Sequence, residues 1–210
     1  MNTPLPTPGP RKRRWSRWLL IPAVLMALFG VVVLAACIRG EWAETTPRDP
    51  AAVADGPVSQ VHQSPDGQKQ VRCAVRLPYP REKVWAVVTD YAHYGESLPY
   101  LRDVQVEPLP DGARLTGEAQ SVFQGDWHFQ TDLHEDKTGN AWSVRWDQPG
   151  GDLLVNRGGW EARAVGPDET LLVLTLEAQV AACPTFILRD FFLYRLPQVL
   201  QSVDRRVQAR

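Results

Sequence analysis

The chain changes its hydrophobic period once, at Cys183-Pro184, and that change limits the folds open to it. Before it, residues 103–107, 113–123, 127–135, 141–146, 153–165 and 170–180 alternate apolar and polar side chains. Period two is the pattern of strands with one face buried and one solvated. The breaks between these runs are Pro108-Leu-Pro110-Asp111-Gly112, Gln124-Gly125-Asp126, Asp136-Lys-Thr-Gly139-Asn140, Gln148-Pro149-Gly150-Gly151 and Gly166-Pro167-Asp168-Glu169, all turn-forming. Strands so closely spaced predict an antiparallel sheet. After Pro184, Leu188, Phe192, Leu196, Val199, Leu200, Val203 and Val207 recur every three or four residues. That is one face of a long amphipathic helix, with a kink or break expected at Pro197. The fold class is α+β, an antiparallel sheet closed by a C-terminal helix.

Upstream, two extended runs at 58–63 and 70–77 flank Ser64-Pro65-Asp66-Gly67, the signature of a β-hairpin. Pro80 opens a helix at its first turn, where a missing N–H is harmless, and Val84, Trp85, Val87 and Val88 give that helix an apolar side. A shorter helical piece, 94–98, stops at Pro99. The folded domain is therefore placed at 57–210.

Residues 18–38 contain no charged side chain, and about 20 apolar residues cross a bilayer as a helix. Arg11, Lys12, Arg13, Arg14 and Arg17 precede this run, against Arg39 alone just after it. By the positive-inside rule, residues 1–17 are a cytoplasmic basic tail and the domain is exported. Trp15 and Trp18 suit an interfacial belt. Leu34-Ala35-Ala36-Cys37 also resembles a bacterial lipobox, so either a spanning helix or a lipidated Cys37 is open. Both tether the domain to the outer side of a bacterial cell membrane, in the periplasm. Residues 39–56, rich in Pro, Asp and Ala, are expected to be a flexible linker.

Strand parity separates the faces. Trp127, Phe129, Thr131 and Leu133 share one face, with His128, Gln130, Asp132 and His134 on the other. Trp142, Val144 and Trp146 oppose Ser143 and Arg145; Leu172, Leu174, Leu176 and Ala178 oppose Thr175, Glu177 and Gln179. Leu115, Gly117, Ala119, Ser121 and Phe123 form a further inner row, and Trp160 and Ala162 join it unless Gly158-Gly159 is a bulge. The inner face is aromatic and nearly free of ionisable groups. Acid–base and nucleophilic chemistry need such groups beside the substrate, so no catalytic residue is assigned. Asp132 and His134 are neighbours on a solvated face without a third ligand, so no metal is assigned either. Cys73 and Cys183 are a possible disulfide pair, but parity turns their side chains to opposite faces, which favours two reduced thiols. A net charge of -1 and the absence of a basic stripe argue against nucleic acid as a partner.

Val84-Trp85-Ala-Val-Val-Thr89-Asp90-Tyr91, Leu98-Pro99-Tyr-Leu101, Gly151-Asp152, Gly159-Trp160-Glu-Ala, Glu169-Thr170-Leu-Leu172 and Leu196-Pro197-Gln-Val-Leu200 stand in an informative order. The domain resembles the SRPBCC superfamily, with its START-like helix-grip fold, and within it the polyketide cyclase/dehydrase and coenzyme Q-binding group. The resemblance implies a curved sheet gripping the last helix around an apolar tunnel. The side chains expected to line it are Trp127, Phe129, Trp142, Trp146, Trp160, Leu174, Leu176, Phe192 and Leu196. Three functions fit: binding of a lipid or isoprenoid quinone without any cofactor, a cyclase-like enzyme, or a structural or partner-binding domain with a filled core. Aromatic rings fill cores as readily as they line cavities.

Overall fold

Alternation in the sequence becomes an antiparallel sheet whose order reverses partway through the chain. The computed structural model describes residues 53, 56–63, 69–98, 100–120, 125–180 and 185–210, with positions 26, 29 and 31. The chain falls into two units, Met1–Ala43 and Glu44–Arg210. In the first, Met26, Phe29 and Val31 are helical and exposed. The rest of the 18–38 segment lies outside the described residues, with Cys37 and nearly all of the linker. Among the described residues no helix is long and apolar enough to cross a membrane.

In the second unit β1 (Val58–Gln63) and β2 (Lys69–Leu77) form the expected antiparallel pair. They are followed by α1 (Arg81–Val88), a 3-10 turn (Tyr91–His93) and the short α2 (Tyr94–Ser97). Then come β3 (Leu101–Leu109), β4 (Gly112–Ala119), β5 (Trp127–Asp136), β6 (Ala141–Gly151), β7 (Val155–Gly166) and β8 (Glu169–Gln179). The last element is α3 (Thr185–Ala209). The 8-stranded sheet has the order β1-β2-β8-β7-β6-β5-β4-β3. β8 therefore returns to pair with β2, and α3 crosses back over β2, β1 and β8.

Two expectations are corrected. α3 runs unbroken through Pro197, held by Leu196, Val199 and Leu200, none more than 2% exposed. β6 continues through Pro149 and Gly150 instead of turning there. Its register with β5 slips between Gln130 and Asp132, and its pairing with β7 ends at Trp146, so Pro149 sits where no ladder hydrogen bond is asked of it. No bulge interrupts Gly158-Gly159, which pair in register on both sides; the irregularity on β7 falls between Ala164 and Gly166.

The core lies on the sheet face gripped by α3. Val84, Val87 and Val88 of α1 pack there with Leu196, Val199, Leu200, Val203 and Val207 of α3. Each such side chain stabilises the fold by about 1.5–3 kcal/mol through burial. Asp90 locks the two helices together at one end. Arg206 donates to its carboxylate at 2.7 Å, Arg210 also donates to it, and His93 lies 2.7 Å away. Arg206, near the end of α3, thus has a specific partner on the chain that follows α1. Cys73, fully buried on the inner face, is a free thiol, and Cys183 lies outside the described residues. No disulfide forms at Cys73, and burial pushes its thiol up to about 11.

Candidate functional site: an apolar cavity under the C-terminal helix

The inner face is built from cross-strand rows that parity alone predicts. Trp142 pairs with Ala162 and Ala162 with Leu172; Val144 pairs with Trp160 and Trp160 with Leu174; Trp146 pairs with Gly158 and Gly158 with Leu176. On the other side Phe129 faces Gly117 and Trp127 faces Ala119. The glycines are required for space. A Cβ on Gly158 would stand 2.7 Å from Cζ2 of Trp146 and 2.2 Å from the Thr175 carbonyl oxygen. One on Gly117 would stand 3.2 Å from the Phe129 ring and 2.8 Å from the Arg102 carbonyl oxygen. Large rings therefore lie across strands that carry no side chain beneath them.

Towards the Trp127–Trp146 end the rings do not fill the space. A cavity of about 160 Å³, partly open to solvent, remains between the sheet and α3. An engineered apolar cavity of about 150 Å³ stays dry and binds benzene, which sets the scale. Trp127, Phe129, Trp146, Trp160, Leu174, Leu176, Phe192 and Leu196 all line it, as their positions in the sequence suggested. Trp142 does not. It lies at the α1 end of the same face, edge-on to Trp85 with ring centroids 5.6 Å apart, and the Arg81 guanidinium sits 4.0 Å above its ring. Parity gave Trp142 the right face, but α1 covers that end of the sheet.

Several lining residues lie outside the rows that strand parity assigned. Tyr94 and Leu98 come from the α2 region, Tyr100 from just before β3, Leu101 from the start of β3, Leu153 from the β6–β7 connection, Asn156 from the start of β7, and Phe191 from α3. Tyrosines clustered beside a Pro-terminated helix were a usable signal, equally consistent with packing. Both roles occur. Tyr91 packs edge-on to Tyr94 at 5.4 Å and donates to Glu135 at 2.9 Å, whereas Tyr94 and Tyr100 also line the cavity. Burial raises the phenols of Tyr91, Tyr94 and Tyr100 well above the ordinary tyrosine range. Ser121 and Phe123 lie outside the described residues.

No carboxylate, imidazole, ammonium, guanidinium or thiol lines the cavity among the described residues. One carboxylate does share the inner face. Glu135 continues the Leu133 parity at the α1 end, where it is bound by Tyr91 and lies 3.3 Å from Lys137. The groups on the outer face are engaged with one another. Arg114 grips Asp132 through two hydrogen bonds of 2.6 and 2.8 Å, His134 meets Asp111 at 2.8 Å, and Arg157 meets the buried Glu177 at 2.8 Å. Among the described residues no group of three potential ligands is placed to hold a metal ion.

With this geometry in place the relationships are informative. Residues 77–203, more than half of the chain, match the model of the family described as polyketide cyclase / dehydrase and lipid transport. The chain belongs to that family. Its fold is that of the START/SRPBCC superfamily, also seen in solved structures of low sequence identity. A STAR-related lipid transfer protein from Xanthomonas axonopodis superposes with a TM-score of 0.64 at 13% identity, over 78% of this chain and 98% of that one. A START superfamily protein from Mycobacterium smegmatis gives 0.58 at 19%, over 67% and 97%. The Zhui aromatase/cyclase from Streptomyces sp. R1128 gives 0.56 at 18%, over 67% and 94%. No curated protein matches the chain in sequence.

Proposed function

We propose that this member of the polyketide cyclase/dehydrase and lipid transport family is a membrane-tethered binding domain. Its cavity takes a hydrophobic small molecule, a lipid or an isoprenoid quinone, between the sheet and α3. One observation carries the reading: a cavity of about 160 Å³ lined by tryptophan, phenylalanine and leucine, with polar groups few and, among the described residues, none of the usual ionised ones. Apolar walls with a few placed polar groups are the general form of a small-molecule site. The tether is the 18–38 segment, as a spanning helix or through lipid on Cys37, with the domain in the periplasm. It would hold the cavity beside the source of a poorly water-soluble ligand. The test is organic extraction of the purified full-length chain followed by mass spectrometry. A hydrophobic molecule recovered in near-stoichiometric amount is expected; an empty protein that also takes up no added lipid would sink the reading. Orientation is tested separately. A phosphatase reporter fused after Arg210 is expected to be active, and activity of a cytoplasm-only reporter there would overturn the exported placement.

The second reading is a cyclase-like enzyme that uses the cavity to fold a reactive chain. Thr131, Asn156 and Tyr100 on the lining favour it, since they would contact a polar substrate. Against it, the raised phenol of Tyr100 is a weak acid, and acid–base catalysis works best with a group that titrates near the working pH.

A further inference from the structure

The polar groups of the cavity form a hydrogen-bond chain whose direction can be deduced. An indole Nε1–H only donates, so the Asn156 side chain must turn its Oδ1 towards Trp146, 3.3 Å away. That commits the amide nitrogen to the other side, where it donates to Thr131 Oγ1 at 3.3 Å. The threonine oxygen is thus used as an acceptor, and its own proton meets no acceptor among the described residues. Thr131 is 5% exposed and lines the cavity. The chain of donors, Trp146 to Asn156 to Thr131, ends in an O–H inside an apolar space. Gly158 makes this possible, because the Trp146 ring lies over it and so reaches Asn156 two residues earlier on β7.

Tyr100 supplies a second donor. Tyr100 lines the same cavity, and its hydroxyl makes no hydrogen bond among the described residues. Burial, opposed by the charge of Arg195, keeps the phenol protonated. Tyr94 differs, since its hydroxyl is spent on the Val88 carbonyl at 2.5 Å. At its buried part the cavity therefore offers the Thr131 donor, while Asn156 Oδ1 already accepts from Trp146, and the remaining amide on the lining, that of Gln120, is exposed. Among the described residues no charged side chain lines it; the Arg195 guanidinium lies 5.4 Å from the ring of the lining Phe191 but is not itself on the wall, and an unpaired ion would be costly to bury there.

We infer that the ligand is an uncharged molecule with an acceptor oxygen of the ketone, quinone or ester class, and that the Thr131 hydroxyl donates to that oxygen. This rests on the binding reading above and narrows it to a chemical class. The test compares three probes of nearly one size, benzophenone, diphenylmethane and diphenylacetate, on the full-length chain in nanodiscs with empty nanodiscs subtracted. Benzophenone is expected to bind about five- to tenfold tighter than diphenylmethane, the usual worth of one hydrogen bond, and diphenylacetate not measurably. Thr131→Val should erase the benzophenone advantage and Thr131→Ser should keep it. The carbonyl stretch of bound benzophenone should lie at lower frequency in wild type than in Thr131→Val. Should Thr131→Val fail to fold, the wild-type affinities and the stretch relative to benzophenone in alkane still decide. Equal binding of benzophenone and diphenylmethane to wild type, or a stretch at the alkane value, overturns this inference and leaves the binding reading standing. Binding of neither benzophenone nor diphenylmethane also overturns this inference, and the extraction and lipid-uptake test above then decides the binding reading.

Discussion

The inner face of the sheet has two ends of similar composition and opposite packing. At the α1 end Val84, Val88, Val203 and Val207 are no more than 4% exposed, and Asp90 ties α1 to the tail of α3. At the Trp127–Trp146 end, rings at least as large leave a cavity of about 160 Å³. Side-chain size does not explain the contrast. Coverage does: α1 and the C-terminal half of α3 close one end. The other end is roofed by Phe191, Phe192 and Leu196 and edged by Tyr94, Leu98 and Tyr100. A fold of this kind keeps its stability and its binding space in separate halves of one core, and that separation can be attacked.

The largest effect is expected at the filled end. Leu200→Ala removes a fully buried side chain from close packing and should cost about 2–5 kcal/mol in chemical denaturation. Next is Asp90→Asn, which weakens the link between α1 and α3 and should cost about 1–2 kcal/mol near neutral pH. Burial alone would raise the Asp90 carboxyl, but His93, Arg210 and Arg206 outweigh it and hold the group below the ordinary carboxylate range. A depressed folded value means stability that is complete above the unfolded value of about 3.9 and is lost as pH falls through the folded one. The gap between wild type and Asp90→Asn should therefore close in acid, and a gap constant down to pH 2 would refute the ion-pair assignment. Smallest is Leu176→Ala on the cavity wall, about 1 kcal/mol, because this side chain already borders open space. Equal losses for Leu200→Ala and Leu176→Ala would erase the proposed difference between the two ends.

Much of this was legible in sequence where one period governs a whole element. Alternation along β5, β6, β7 and β8 assigned Phe129, Trp146, Trp160 and Leu174 to one face, and the three-to-four spacing in α3 picked out Leu196, Leu200 and Val207. Position along a strand was not legible, and this is where Trp142 failed, since parity is blind to which end a helix covers. The extension of β6 was hidden because Pro149-Gly150-Gly151 is ordinary turn chemistry, and only the register slip on β5 lets the strand continue. Leu171 and Val173, buried with Ala74 in a second cluster, belong to the face opposite Leu172 and Leu174. The unbroken apolar run 171–174 was the available sign that both faces of β8 are covered there. Asn156 gave no signal at all, because its role depends on the Trp146 ring of the neighbouring strand β6, a partner that alternation along β7 does not reveal.

The central claim is that the open end holds a hydrophobic molecule, and filling that end tests it most directly. Ala178 lines the cavity, so Ala178→Phe should occupy the space without touching the packed end. Wild type and Ala178→Phe would be purified as full-length chains, melted, extracted and compared by quantitative lipid mass spectrometry. The account predicts a near-normal melting temperature for the variant with loss of most of the extracted molecule that wild type carries. Equal loading of the two proteins, or a wild type that neither carries nor takes up any hydrophobic molecule, would contradict it.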